Sequence, residues 1–374
     1  MKADIASWLL SAERKLLSPT AMLEVAANLV AARRFDMAAT ACDAAYSLAP
    51  ESHEIVSTRK TILERLRIEE HGLVFCYIPA GPFVMGSKHG DNDESPEHPV
   101  ELEGFWITDV PLTWAAFHDL IGWPPPPNGV PDENNKKKGK AEFDAALFHL
   151  YQDHKIRRQY CETETVRARD WHAHAPEALW QQGDVVKTAR ELFGDVARKN
   201  TARPWTYDEK PMVAVSWEQA TALGKKLTTS GVDYGLPTEA EWEKAARGGL
   251  VGCKYAWGNE PPTPERCDFD RFRQFSIRPP RSLPPNGYGL FGMCGGVREW
   301  TADGYDATYY GESPRVCPTG PTVVKQRVLR GGSWADCADA VRVSFRMGLD
   351  PKSSGDPTIG FRLVRRQPVS RIMK

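Results

Sequence analysis

Apolar positions follow two different regimes along the chain, and the texture changes at Gly72. Before it, Leu23, Ala26, Ala27 and Val30 recur at helical spacing, and Ser18-Pro19-Thr20 ahead of them offers a capping hydroxyl and a first-turn proline. A second stretch, rich in small residues, runs from Ala31 past Phe35 to Leu48-Ala49 and is stopped by Pro50, while 57–70 is predicted as a third helix. The whole of 3–70 is thus expected to be helical. After Gly72 the pattern shortens. Leu73-Val74-Phe75-Cys76-Tyr77-Ile78 predicts a strand, Pro79 to Ser87 a strand broken by turns, and Val100, Leu102, Phe105, Trp106 and Ile107 resume strand character. Pro111-Leu112-Thr113 opens a helix through Trp114 and Phe117.

The four prolines from Pro124 to Pro127 exclude regular structure, and Asn134 to Lys140 forms a basic patch without interleaved aromatic residues, the pattern of a solvated loop. Residues 141–199 are expected to be mainly helical, so 123–207 is treated as an insertion. Within it, Asp170, His172 and His174 form a weak metal signal, and surface or structural histidines are the favoured reading. Ser216 with Gln219, and Thr238 at the head of Glu239-Ala240-Glu241-Trp242, mark two helix starts, and Gly248 ends the second helix. The C-terminal part is dense in Gly, Trp and Arg, from Asn286-Gly287-Tyr288-Gly289 through Arg330-Gly331-Gly332-Ser333-Trp334 to Gly360-Phe361-Arg362. Such a stretch predicts a turn-rich core with large aromatic area.

A formal charge of -1 gives no electrostatic reason to expect nucleic-acid or membrane binding. No stretch approaches the apolar length of a membrane span, and the first residues do not make a secretory signal, so a cytoplasmic location is expected. The cysteines stand singly with no CxxC pair, as small buried apolar residues do in a reducing compartment.

Two resemblances follow from these segments. The helices around Ala31 to Pro50 resemble one tetratricopeptide unit; a lone unit cannot bury its own faces, so it packs either on its own chain or on a partner protein. Taken in order, Ile78 to Ser87, Glu94 to Val100, Pro211 to Trp217, Leu236 to Glu243, Tyr255 to Gly258, Asn286 to Leu290, Glu299-Trp300, Arg330 to Trp334 and Gly360 to Arg362 resemble the formylglycine-generating enzyme (sulfatase-modifying factor) superfamily. The resemblance covers about 72–365 outside the insertion. It implies an α+β chain: a variant C-type-lectin-like domain over 71–374 with little regular secondary structure, after a small helical region over 1–70.

The resemblance also directs attention to chemistry. In the family's copper oxidases two cysteines follow the Gly-Gly-Ser-aromatic turn at the third and eighth positions after the serine; here those positions are Asp336 and Val341. Cys337 is offset by one residue, which in an extended segment turns a side chain to the other face. Copper and formylglycine generation are therefore not expected. The family's sulfoxide synthases use His-x-x-x-His-x-Glu, and no histidine here is followed by another four residues later. The family's structural calcium implies ligands at Asp268 and Phe269 for one site and at Gly295, Val297 and Glu299 for a second, where Gly292 replaces an asparagine.

These expectations converge on a non-catalytic binding protein, a pseudoenzyme whose helical region docks a protein partner. Its recognition surface is expected over 334–350, with Trp334, Asp336, Asp339, Ser344 and Arg346 as contacts and no nucleic acid or membrane as partner. Strand alternation places Val343 and Phe345 inward and Ser344 and Arg346 outward. Arg342 is expected to pair internally, and Arg346 is open to either role. The alternative is a metal-dependent oxidoreductase with a site rebuilt from Asp336, Cys337 and histidines of the insertion.

Overall fold

The computed structural model describes residues 18–121, 179–182, 185–188, 209–213, 215–271, 277–353 and 358–367. Three helices come first: α1 (Pro19–Ala31), α2 (Phe35–Leu48) and α3 (His53–Arg65). Ser18 caps α1 by accepting from the Ala21 amide at 3.1 Å, as its position predicts. The third helix begins earlier than expected because Ser52 supplies its cap. It also ends earlier: residues 68–70, expected helical, are strand β1 (Ile68–Glu70), turned back onto β2 (Leu73–Ile78). The turn residues His71 and Gly72 have φ of 56° and 70°, a tight two-residue hairpin that the glycine permits.

Beyond it, in chain order, come β3 (Gly81–Met85), β4 (His98–Leu102), β5 (Phe105–Thr108) and α4 (Trp114–Ile121). The two described segments of the insertion, β6 (Leu179–Gln182) and β7 (Val185–Thr188), pair antiparallel, so these residues are strand where helix was expected. The basic patch, His172 and His174 lie outside the described residues. Then follow α5 (Trp217–Leu227), β8 (Asp233–Gly235), α6 (Glu239–Arg247), β9 (Arg298–Gly304), β10 (Arg327–Arg330), β11 (Arg346–Leu349), β12 (Ile359–Phe361) and β13 (Val364–Arg366). The predicted capping box of Ser216 with Gln219 forms on α5, the predicted cap Thr238 forms a box as well, with Glu241 on α6, and Gly248 closes α6 in the left-handed region at φ 62°.

One sheet has the order β1-β2-β5-β13-β8 with antiparallel pairing throughout. A second runs β11-β10-β9-β12, in which β12 lies parallel to β9. Helix α6 lies against β3, β4, β9 and β10 and is buried along its whole length. The insertion leaves and returns at neighbouring points: the Trp114 amide donates to Lys210 O at 3.1 Å and the Met212 amide to Leu112 O at 2.6 Å.

Of the two fates open to the lone helical unit, packing on its own chain is realised. Ala26, Leu29, Ala38, Ile62 and Leu66 belong to the same continuous apolar core as Phe75, Trp106 and Trp242. A polar bolt reinforces this contact. Arg59 of α3 donates to Asp43 of α2 at 2.7 and 3.0 Å, to Gly248 O at 3.0 Å and to Gly287 O at 2.6 Å. Its guanidinium lies over the rings of Tyr46 and Tyr288, at 4.4 and 4.5 Å. Burial works to lower its pKa, but Asp43 together with Tyr288 and Tyr46 outweighs this and holds it above the ordinary value. Among the described residues no helix is long and apolar enough to cross a membrane.

Candidate functional site

The segment expected to carry chemistry or recognition starts where β10 ends. Gly331 and Gly332 have φ of 92° and 64°, so they turn the chain where other residues would be strained. A Cβ on Gly332 would collide with the Ala340 carbonyl, which seats the following 3-10 turn, Ala338–Val341, directly beneath. Neither position that the family's oxidases fill with cysteine holds a reactive group. Val341 is fully buried. Asp336 is saturated: it accepts from the Ser333 amide and hydroxyl, each at 2.8 Å, and from Arg298 Nε at 2.8 Å, while a second Arg298 nitrogen bonds its other oxygen. This carboxylate closes a turn and accepts from four donors. Cys337 beside it is exposed. Elsewhere burial pushes the thiols up, Cys42 and Cys294 to about 12 and Cys76 to about 11, which keeps them out of the nucleophilic thiolate form.

The expected recognition surface is corrected by burial. Trp334, Ser344 and Arg346 are 1%, 4% and 2% exposed, so none can act as a surface anchor. Side chains do not alternate inward and outward here because 333–345 is turn and 3-10 helix; extended pairing begins only at Arg346. Arg330 holds this segment from below, donating to the carbonyls of Val343, Ser344 and Phe345 at 3.0, 2.6 and 2.7 Å. Arg346 grips Glu239 through Nε at 2.7 Å and a terminal nitrogen at 2.9 Å, with the rings of Tyr305 and Tyr310 on it at 5.0 and 4.3 Å. Arg342 pairs internally as expected, with Glu94 at 2.6 Å. Of the five expected contacts only Asp339 is exposed, with Asp336 half-buried in its turn.

Sequence reasoning missed the ionic cluster under this segment. Glu239, Glu243 and Arg247 share one face of α6 at four-residue steps, and that spacing was the available signal. Glu243 binds Arg247 at 2.6 Å, also contacts Arg330, and receives the Gly86 amide at 2.9 Å. Burial works to raise its pKa, but Arg247 and Arg330 outweigh this and hold it low. Asp303 close by is different. Burial and the charge of Glu239 hold its carboxyl well above the ordinary range. Among the described residues Asp91, Asp93 and Glu94 form an acidic group, but Arg342 takes Asp91 and Glu94 while the Tyr305 hydroxyl donates to Asp93.

The two carboxylates among the expected calcium ligands are each held by an arginine. The Asp268 carboxylate accepts from Arg278 Nε and backbone amide, both at 3.0 Å, and from Arg271 at 3.2 Å. Glu299 accepts from Arg362 at 2.6 and 2.8 Å and from Trp242 Nε1 at 2.8 Å. Phe269 is half-buried beside Asp268, and Gly295 and Val297 border the same cleft as Asp268 and Arg278. Calcium requires six or more oxygens, and both anchoring carboxylates already face guanidinium groups.

The chain is 33% identical to the formylglycine-generating enzyme of Streptomyces coelicolor over 308 residues, 76% of this chain and 87% of that one. It is 31% identical to the inactive C-alpha-formylglycine-generating enzyme 2 of Mus musculus over 318 residues, 76% of this chain and 83% of that one. Its fold matches the Treponema denticola variable protein 1 with a TM-score of 0.51 at 21% identity, covering 80% of this chain and 97% of that one. A family model for the sulfatase-modifying factor enzyme 1-like domain matches residues 68–367, and the chain belongs to that family.

Proposed function

We propose that this chain is a pseudoenzyme: a member of the family that generates no formylglycine and acts by binding another protein. The observation that carries the reading is Asp336. A thiol pair is what binds a soft metal and exchanges with a substrate cysteine. Here one thiol position is a carboxylate locked by Arg298 and Ser333, and the other is buried Val341. Its relatives include both formylglycine-generating enzymes and inactive ones, so kinship supports either outcome and the site residues favour the second.

With Trp334, Ser344 and Arg346 inside the core, recognition falls to the exposed rim of the same segment. That rim carries Asp339 and Cys337. Half-buried Trp257 lies close by, stacked on Tyr255 with ring centroids 5.1 Å apart, and the Tyr255 hydroxyl reaches the Ala338 carbonyl at 3.5 Å. A stacked aromatic pair beside an exposed carboxylate suits a protein ligand with a basic side chain.

The protein is incubated with copper, oxygen and a Cys-x-Pro-x-Arg peptide, and the aldehyde is sought by mass spectrometry; turnover above the enzyme-free control refutes the pseudoenzyme reading. For binding, Trp257→Ala and Asp339→Ala are compared with wild type against a partner identified by crosslinking. Loss of an anchor is expected to weaken capture by about 30-fold, or about 2 kcal/mol. Unchanged affinity in both variants refutes this placement of the surface.

A further inference from the structure

We infer that arginine side chains hold the places at which the family's structural cations were expected, so that the fold is locked without calcium: Arg278 at Asp268 and Arg362 at Glu299. A structural cation gathers several oxygen atoms at one point; the Arg278 guanidinium does so within the 267–268 stretch, and the Arg362 guanidinium does so across segments distant in sequence. Arg278 binds both oxygens of the Asp268 carboxylate, through Nε and its own amide, and donates to the Cys267 carbonyl at 2.8 Å. Arg362 spans further. Besides both oxygens of Glu299, it donates to Thr108 O at 2.9 Å and to Phe291 O at 3.0 Å, which ties β5, β9 and the 291 loop to the chain just after β12.

A guanidinium suits this task. It is charged at every accessible pH and presents its donors in a rigid planar fork. It also excludes the ion it replaces, because a divalent cation brought to the same carboxylate meets a positive group at hydrogen-bond distance. The residues around each site agree. Gly292, at the position of an expected side-chain ligand, offers only backbone, and a cleft bordered by Gly292, Gly295, Val297 and Asp268 also has Arg278 in its wall. The Asp268 main-chain carbonyl is spent as well, on the Gly296 amide at 2.8 Å.

The test is thermal unfolding of the whole chain in excess EGTA and in excess calcium chloride, with calcium titration calorimetry alongside. Because a ligand of the native state raises the melting temperature by mass action, the two curves are expected to agree within about 1 °C. No saturable calcium heat is expected. A melting temperature lowered by the chelator, or a saturable calcium isotherm, overturns the inference. Arg278→Gln and Arg362→Gln are expected to lower the melting temperature in both buffers. Stability equal to wild type in both variants overturns it too. If either variant fails to fold, the wild-type comparison decides alone.

Discussion

Arg59 is the point at which the helical region and the family domain are most open to attack. Replacing it with alanine leaves the Asp43 carboxylate, 16% exposed, without its cation, and strips the carbonyls of Gly248 and Gly287 of their donor. Removing one partner of a buried, hydrogen-bonded ion pair costs about 3–5 kcal/mol, chiefly through the charge left behind. For a domain of this size each kcal/mol moves the melting temperature by about 2–4 °C, so a fall of about 6–20 °C is expected. Circular dichroism melts of wild type and Arg59→Ala measure it. The double variant Arg59→Ala with Asp43→Asn separates orphaned charge from lost packing: if the charge dominates, the second substitution restores part of the loss. Part of the penalty remains even then, because Tyr46 and Tyr288 lose the group between them. An Arg59→Ala variant within about 0.5 kcal/mol of wild type refutes the reasoning, since it would mean that the helices rest on the domain without depending on this bolt.

Two further outcomes follow from the buried charges. The Asp303 carboxyl has a pKa raised by burial and by Glu239, so the folded state resists its ionisation; this stability is present below the unfolded carboxylate pKa and is lost as pH rises toward the folded value. Asp303→Asn keeps an acceptor for the Glu239 amide and cannot ionise, so its melting temperature is expected to gain on wild type as pH rises from the acid range to neutrality; a flat or falling difference counts against this. Arg346→Ala is expected to destabilise the fold by about 3–5 kcal/mol by orphaning Glu239, whereas exposed Asp339→Ala changes stability by no more than about 0.5 kcal/mol; equal melting temperatures for the two would show that Arg346 is not a core residue.

What could be read from the sequence was whatever is settled within a few residues. The helix caps at Ser216 and Thr238, the terminating Gly248, the stop before Pro50 and the strand at 73–78 all appear where local spacing put them. The boundary of α3 was misplaced because Ser52, a better cap than Ser57, was overlooked. The candidate surface was misjudged for a different reason. Inward and outward alternation holds only for extended chain, and Gly332 makes this segment turn. The arginine pairs were the least legible features, since Glu94 with Arg342, Glu239 with Arg346 and Glu299 with Arg362 join residues that no local pattern relates. The departure from the family's thiol chemistry needed no structure, because Asp336 and Val341 stand at fixed distances from a recognisable turn.

The seam at Thr113 and Pro211 gives the chain an engineering property. These residues bridge antiparallel, and the backbone bonds on either side fix the exit and re-entry points of everything between them. The closure entropy of a flexible loop between fixed ends grows only with the logarithm of its length, so doubling it costs about 0.6 kcal/mol. Beyond α4, whose Trp114 and Phe117 belong to the core, the family domain therefore has a socket, a place where a cassette of foreign sequence is expected to fit at little cost to the rest of the molecule. Cargo fitted there would be tethered at two points rather than one, with its orientation limited by the seam.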